Sequence, residues 1–270
     1  MSRSRLKILT YNIHKGFSVG NRRFVLHEIK ESVRMVNADI VFLQEIQGEH
    51  IVLQNKICDW PTDSQFEFLA DQVWPHHAYG KNAIYKAGHH GNAILSKFPF
   101  VEWENINVSI MQSASRSLLH GTVVMGPAKQ RIHLICVHLG LFGREREKQL
   151  SVLANRINSH VPQDEALIIA GDFNDWRGKA EKHLCHDLNL KEVFKSTTGK
   201  HARSFPAWMP TLPMDRIYSR GLKPLECHRC TKAPWRKLSD HTPLIATFEL
   251  VPKPDKAITH PQYDQASLVD

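Results

Sequence analysis

Several apolar runs in this sequence end in an acid, an amide or a histidine. Asn12 follows LKILTY, Glu45 follows IVFLQ, and His138 follows HLICV. Asp172 and Asn174 follow ALIIAG, Asp215 stands just before IYS, and Asp240-His241 just before PLIATF. Strand ends are where rigid scaffolds place reactive groups. Carboxylates with an amide suit a hard divalent ion such as Mg²⁺, which takes one or two carboxylates and keeps waters. Two histidines and a further Asp suit phosphate. A protonated His neutralises phosphoryl oxygens, and a neighbouring Asp keeps it charged and oriented. An Asp facing a metal or phosphate activates water. Taken together, this is the equipment of metal-assisted phosphodiester hydrolysis.

Each residue alone also has an ordinary structural explanation. Asn12 fits a turn, Asp172 after Gly171 fits an Asx turn or helix cap, and Asp215-Arg216 fits a surface ion pair worth little. Only the set as a whole points to a site.

The elements that must position these groups are legible from periodicity. Residues 6–13 alternate as a half-buried strand, 22–37 carry Phe24, Ile29, Val33 and Val36 at helical spacing, and IVFLQE (40–45) is an apolar strand. Such a β-α-β unit with a short crossover predicts adjacent strands in one sheet. Further strands are predicted at 91–97, 118–125, 131–138, 166–170, 215–219 and 243–250. A helix is expected at 64–73, short helices and loop at 178–195, and a charged helix at 143–160 with Arg144 to Lys148 on a solvated face. The mixture predicts sheets covered by helices. The tail, 252–270, loses periodicity and gains proline, so it is expected to be flexible or loosely docked.

The chain has 270 residues, 42% of them hydrophobic, which excludes a disordered class. Its 35 Lys+Arg against 27 Asp+Glu give a formal charge of +8, which favours polyanionic partners, although no dense basic run exists. No segment approaches the roughly 18 apolar residues of a membrane span, and the basic N-terminus lacks a signal-peptide apolar core. Five irregularly spaced cysteines speak against a disulfide framework and fit a reducing cytosol. Cys227-His-Arg-Cys230 lacks the second pair that structural zinc needs.

The motifs TYNI (10–13), LQE (43–45), GNAILS (91–96), VHL (137–139), GDFND (171–175), DRIY (215–218) and SDHTPL (239–244) occur in one order over residues 5–250. In this the chain resembles the endonuclease/exonuclease/phosphatase superfamily, which includes DNase I, abasic-site endonucleases and neutral sphingomyelinases. NIHKGF (12–17), HHGNAILS (89–96), VHLGL (137–141) and GDFNDWR (171–177) resemble most an uncharacterised bacterial cytosolic branch. The resemblance implies a four-layer α/β sandwich: two mostly antiparallel sheets face to face with helices outside, in one domain spanning 5–251.

It also implies roles. Glu45 would be the principal ligand of Mg²⁺, for which Mn²⁺ can substitute, with Asn12 and Asp240 completing the metal site. Asp172 would orient or deprotonate the attacking water, and Asn174 would bond the scissile phosphate. His241, with Asp215 as its carboxylate partner, and His138 would face the phosphate oxygens. Position 14 is His where several relatives carry an acid or arginine, so His14 is a candidate substrate or second-metal contact, leaving one- and two-metal chemistry both open. Asn92 and Arg116 are candidate phosphate-side contacts, and His90 a candidate cleft residue. The substrate expected first is nucleic acid. A phospholipid or headgroup diester is the alternative, motivated by His138 and the aromatic, proline-flanked loop 205–213. A catalytically silent binding module is the remaining class. Oligomeric state is not legible.

Overall fold

The computed structural model describes residues 5–110, 115–126 and 129–251. The tail therefore lies outside the described residues. In chain order the elements are β1 (Arg5–Asn12), α1 (Leu26–Val36), β2 (Ile40–His50), α2 (Ile51–Lys56), α3 (Gln65–Ala70), β3 (His76–Tyr85), β4 (Gly88–Ser96) and β5 (Phe100–Asn107). There follow β6 (Ser117–Met125), β7 (Gln130–His138), α4 (Gly143–His160), β8 (Ala166–Asp172), β9 (Lys191–Glu192) and α5 (Val193–Thr198). The last are β10 (Asp215–Arg220), β11 (Leu222–Arg229), α6 (Trp235–Leu238) and β12 (Leu244–Leu250).

The strands form two six-stranded sheets, ordered β11-β12-β1-β2-β4-β3 and β5-β6-β7-β8-β10-β9. Each contains a single parallel pair, β1 with β2 and β7 with β8, and is otherwise antiparallel. The expected adjacency of the β-α-β unit holds, with Thr10 opposite Phe42. The four strands that periodicity does not predict, β3, β5, β9 and β11, are the four sheet edges. Edge strands are half-solvated and so carry weak alternation: β5 is mostly exposed, and β11 carries Pro224 and a bulge.

Alternation dictates the layers. Leu6 and Ile8 of β1, Ile40 and Phe42 of β2, Leu134 and Cys136 of β7, and Ile168 and Ala170 of β8 pack together between the sheets. Their sequence neighbours Leu9, Tyr11, Val41 and Leu43 pack outward with Leu26, Ile29 and Val33 of α1. Ile135, Val137, Leu167 and Ile169 pack outward with Leu150, Leu153 and Ile157 of α4. Each fully buried aliphatic side chain contributes roughly 1.5–3 kcal/mol, so this three-part core is what holds the strand ends in place. The fold is thus the α/β sandwich that the resemblance implies.

Two expectations need correction. The helix expected from residue 22 starts at Leu26, because residues 17 and 24 form a bridge instead and close a turn. The expected solvated face of α4 is partly internal: Glu145 and Arg146 are buried. Arg146 donates from Nη1 to the carbonyls of Gly140 and Leu141, tying the helix start to the loop after β7. No helix among the described residues is long and apolar enough to cross a membrane.

Candidate active site

The inward-facing rows of the inter-sheet core continue to the strand ends, where apolar side chains give way to polar ones. On β1 the row Leu6, Ile8, Thr10 ends in Asn12. On β7 the row Leu134, Cys136 ends in His138, and on β8 Ile168, Ala170 ends in Asp172. His138 and Asp172 are direct partners across the parallel pair, and Asp172 and Asp215 across the antiparallel one. Just below lies a polar layer in which Gln44 donates to Thr10 Oγ1 at 3.3 Å and to Cys136 Sγ at 3.2 Å.

Glu45 reaches this site by a different route. Strict alternation would send it outward with Leu43. The β2/β4 register slips by one residue between Leu43 and Ile46, and Glu45 takes a left-handed φ of 55°. Such a bulge re-aims a side chain, and Glu45 Oε1 thereby accepts from Asn12 Nδ2 at 3.4 Å. Gly171 is required for a related reason. Its φ is 146°, and a Cβ there would lie 2.0 Å from the Val137 carbonyl oxygen, so only glycine lets β7 and β8 close on the site.

Asp172 Oδ2 is the focus. Asn12 Nδ2 donates to it at 3.2 Å, His138 Nε2 lies 3.6 Å away and His241 Nε2 3.7 Å. Its other oxygen accepts the backbone N–H of Asn174 at 2.9 Å, and Asn174 itself has a φ of 49°. The Asn174 amide donates to the Leu139 carbonyl at 2.9 Å. His241 Nδ1 donates to Asp215 Oδ2 at 2.8 Å. Ser239, which sequence reasoning overlooked inside SDHTPL, ties these parts together. Its hydroxyl donates to the Asn12 carbonyl at 2.7 Å and accepts the His241 backbone N–H at 3.2 Å.

The two histidines hold different charge. Burial opposes protonation of His241, but Asp215 and then Asp172 outweigh it and raise its pKa to about 10, so it is a cation at neutral pH. His138 is pushed down to about 3 by burial and then by the Arg116 cation, so it is neutral. Burial raises Asp172 to about 7 despite the opposing pull of His241, with the charge of Asp215 adding to the rise. Burial works against Glu45 too, yet His138, Lys15, His14 and His241 hold its carboxyl down at about 2. Because His138 is neutral near pH 7, it adds no full charge there, whereas Lys15 and His241 do. Lys15 was not among the sequence candidates; it sits in a loop where His14, Lys15 and Gly16 all have positive φ, and nothing in the sequence signals that turn.

The remaining candidates fall around this centre. The His14 backbone N–H donates to Asn12 Oδ1 at 3.1 Å, and its ring Nδ1 lies 3.9 Å from Asp240 Oδ1. Asp240 is partly exposed, and its Oδ1 lies 3.3 Å from Ser239 Oγ, whose proton goes to the closer Asn12 carbonyl. Arg116 is half-buried and donates from Nε to the Leu139 carbonyl at 3.3 Å. Asn92 is buried and donates to the Ser117 carbonyl at 3.0 Å, so its amide N–H ties one sheet to the other. His90 is Gln47's partner across β2 and β4.

A divalent cation suits this donor set. Glu45 is ionised and its nearest basic atom among its ion pairs is a neutral imidazole nitrogen 4.0 Å away. Asp172 is a second oxygen donor held with it by one amide, that of Asn12. Asp172, Asp215 and His241 also present ligand atoms within 4.8 Å of one another. There, however, His241 is protonated and engaged by Asp215, which leaves the carboxylate oxygens as the donors a hard cation would take.

Comparisons with known proteins agree with this geometry. The chain is 45% identical over 244 residues to the uncharacterised protein YbhP of Escherichia coli K12, covering 90% of this chain and 96% of that one. It is 27% identical to a UPF0294 protein of Vibrio parahaemolyticus over 70% of this chain and 65% of that protein. Among solved structures, an endonuclease/exonuclease/phosphatase from Beutenbergia cavernae superposes with a TM-score of 0.75 at 18% identity, over 92% of this chain and 72% of that one. D. rerio TDP2 complexed with a single-strand DNA product superposes with a TM-score of 0.66 at 22% identity, over 91% and 99%. The model of the Endonuclease/Exonuclease/phosphatase family matches residues 9–241, a span that runs from β1 to His241 and takes in every group converging on Asp172, and the chain belongs to that family.

Proposed function

We propose that this protein is a Mg²⁺-dependent phosphodiesterase that hydrolyses nucleic acid by in-line attack of water. The observation that carries the proposal is the convergence on Asp172 Oδ2 of one amide and two histidines of opposite charge state. Glu45, with Asn12 and Asp240, would hold the metal, which when bound supplies Lewis-acid stabilisation of charge on the phosphoryl oxygens. Asp172, raised towards neutrality, accepts a proton from water at Oδ2. His241 donates from Nε2 to a non-bridging oxygen as a full cation, held by Asp215. His138 offers an uncharged N–H at the same place, and Asn174 closes the pocket through Asp172 and Leu139.

Nucleic acid is supported by the +8 charge and by the neighbour solved with single-strand DNA product. A phospholipid diester has one observation in its favour, the exposed Trp208 and Met209 on the loop beside the site. The deciding experiment is turnover with Mg²⁺ or Mn²⁺ by wild type and Asp172→Asn. The panel is bis-p-nitrophenyl phosphate, single-stranded and plasmid DNA, RNA, and anionic and choline phospholipid vesicles. Metal-dependent cleavage of nucleic acid, lost in the variant, is expected. Cleavage of vesicles alone would move the substrate to lipid, and turnover that survives Asp172→Asn would overturn the mechanism.

A further inference from the structure

Close to Glu45, whose charge acts on the lining residues Lys15 and His90, the structure has a cavity of about 470 Å³ that the reaction as described does not use. That is within the roughly 300–1,000 Å³ of small-molecule sites. Half of its lining is rings: Phe17 from the loop after β1, His50 at the end of β2, Tyr85 at the end of β3 and His90 on β4; Leu53 of α2, Lys15, Asn21 and Gln47 complete it. The rings belong to a continuous aromatic belt. Phe17 meets Phe24 edge-on, Phe24 stacks on Trp60, and Trp60 meets His50; His50 then meets Tyr85 at 5.6 Å and Tyr85 meets His90 at 5.9 Å. Tyr85 is held in place, since its hydroxyl donates to Gln47 Oε1 at 2.8 Å, yet 37% of the residue remains exposed.

Three features say what would fit. The lining holds a cation and no carboxylate, which suits a group attached to a polyanion and repels a cationic headgroup such as choline. The buried Nδ1 of His90, one of the lining residues, has no hydrogen-bond partner among the described residues. The cavity is also continuous in the chain with the phosphate site: Gln47 and His90 are β2/β4 partners, and Glu45 precedes Gln47 by two residues. From the rings of the lining, the Lys15 charge and the place close to Glu45, we infer that this cavity is a subsite that takes one unstacked nucleobase next to the scissile phosphate. A base inside a duplex is stacked on both faces and must leave the helix to enter such a pocket. The inferred substrate is therefore single-stranded nucleic acid, or a strand end, with Tyr85 as the stacking platform.

The inference rests on the phosphodiesterase reading for the position of the phosphate, and the test separates the two. A short single-stranded DNA carrying 2-aminopurine, whose fluorescence drops on stacking, is compared with the same strand carrying an abasic site there. Binding is measured with Ca²⁺ in place of Mg²⁺. Wild type should quench the probe and bind the abasic strand more weakly. Tyr85→Ala should weaken binding of the base-bearing strand by roughly 5- to 100-fold and that of the abasic strand far less, while Tyr85→Phe should fall between wild type and Tyr85→Ala. Equal wild-type affinity for the two strands overturns the subsite and needs no variant to be seen, as does an equal loss for both strands in a folded Tyr85→Ala. If bis-p-nitrophenyl phosphate is hydrolysed with Mg²⁺ and no base dependence is found, the subsite fails alone. If base-dependent quenching occurs without metal-dependent hydrolysis, the subsite stands and the enzymatic reading fails.

Discussion

Two clusters of histidine and carboxylate are built on the second sheet, one of them completed by His241 from the loop before β12 of the first sheet, and they do different things with the same residue types. At the strand ends, His241 and His138 converge on Asp172. On the outer face of the same sheet, under α4, His120 and His133 lie 3.0 Å apart, and Arg156 Nε donates to His120 Nδ1 at 3.1 Å. Arginine has no acceptor, so His120 Nδ1 must accept. Its Nε2–H then donates to His133 Nδ1, and the His133 Nε2–H donates to Glu165 at 2.7 Å. Every proton in that chain is assigned and shared, and His120 is driven to about 3 by burial and then by His133 and Arg156. At the strand ends the opposite holds: two carboxylates share one imidazole, His241 keeps its charge, and Asp172 is left near neutrality with an oxygen facing the cleft. A satisfied network of this kind fixes structure, while unequal titration of neighbouring groups is how acid and base roles are divided. The lesson is that identity of side chains does not separate the two clusters, and the neighbours' charges do.

The comparison breaks first at Asp172. Asp172→Asn keeps the shape and removes the proton acceptor, and kcat on bis-p-nitrophenyl phosphate should fall roughly 10²- to 10⁴-fold. A drop below tenfold would show that the convergence on this oxygen is not the reactive one. Asp215→Asn should cost roughly 10²-fold and also change the pH profile. The His241 charge persists up to about 10 because of Asp215, so activity that needs this cation is present below that pH and lost above it, and the variant's alkaline limb should move to lower pH. An unmoved limb would detach His241 from the rate.

The outer cluster should answer in stability. His120→Gln cannot hold an acceptor to Arg156 and a donor to His133 at the imidazole's two positions at once, so it loses at least one of these bonds and should lower the unfolding free energy by about 1–3 kcal/mol, read by urea melts, without a matching loss of turnover. The sign of its pH dependence follows from the depressed pKa of His120. Stability from the neutral ring is present above the unfolded value of about 6.5 and is lost as pH falls towards the folded value, by at most about 1.4 kcal/mol per unit. The wild-type acid slope between pH 6.5 and 4 should therefore be steeper than that of His120→Gln, and parallel slopes would remove His120 from the acid linkage. The smallest effect is expected from Arg156→Lys. It keeps the cation near Glu104 but loses the Nε donor, for about 0.5–1.5 kcal/mol.

The strands that sequence patterning located are those buried on both faces, and the four that it missed are the edges, where one side of the ladder and much of the surface meet water. The same logic divides the site. His138 and Asp172 were legible because they continue an inward-facing row whose preceding members are apolar, Asn12 because it ends the row of Leu6 and Ile8 beyond Thr10, and Asp215 because it opens the row that Ile217 continues. Glu45 is expected at a strand end but lies inside β2, which runs on to His50, and its direction depends on a bulge that alternation does not encode. Lys15 and Ser239 had no pattern to reveal them, since one depends on a left-handed turn and the other on contacts more than 200 residues away in sequence. Arg216 illustrates the reverse: it read as half of a surface ion pair with Asp215, but is buried and donates to the carbonyls of Asp175 and Pro213.

What the sequence by itself determined is the class of chemistry. Its apolar alternation specifies strands, and the acids, amides and imidazoles around their ends are those of the endonuclease/exonuclease/phosphatase family. What the tertiary structure alone decided is which of these groups carries a proton. His241 is charged because Asp215, 26 residues away, is brought within 2.8 Å of it. His138 is neutral because the same fold seals it from water beside Arg116. A side chain's proton affinity is set by solvent exclusion and by the charges around it, and both are properties of packing, not of the residue.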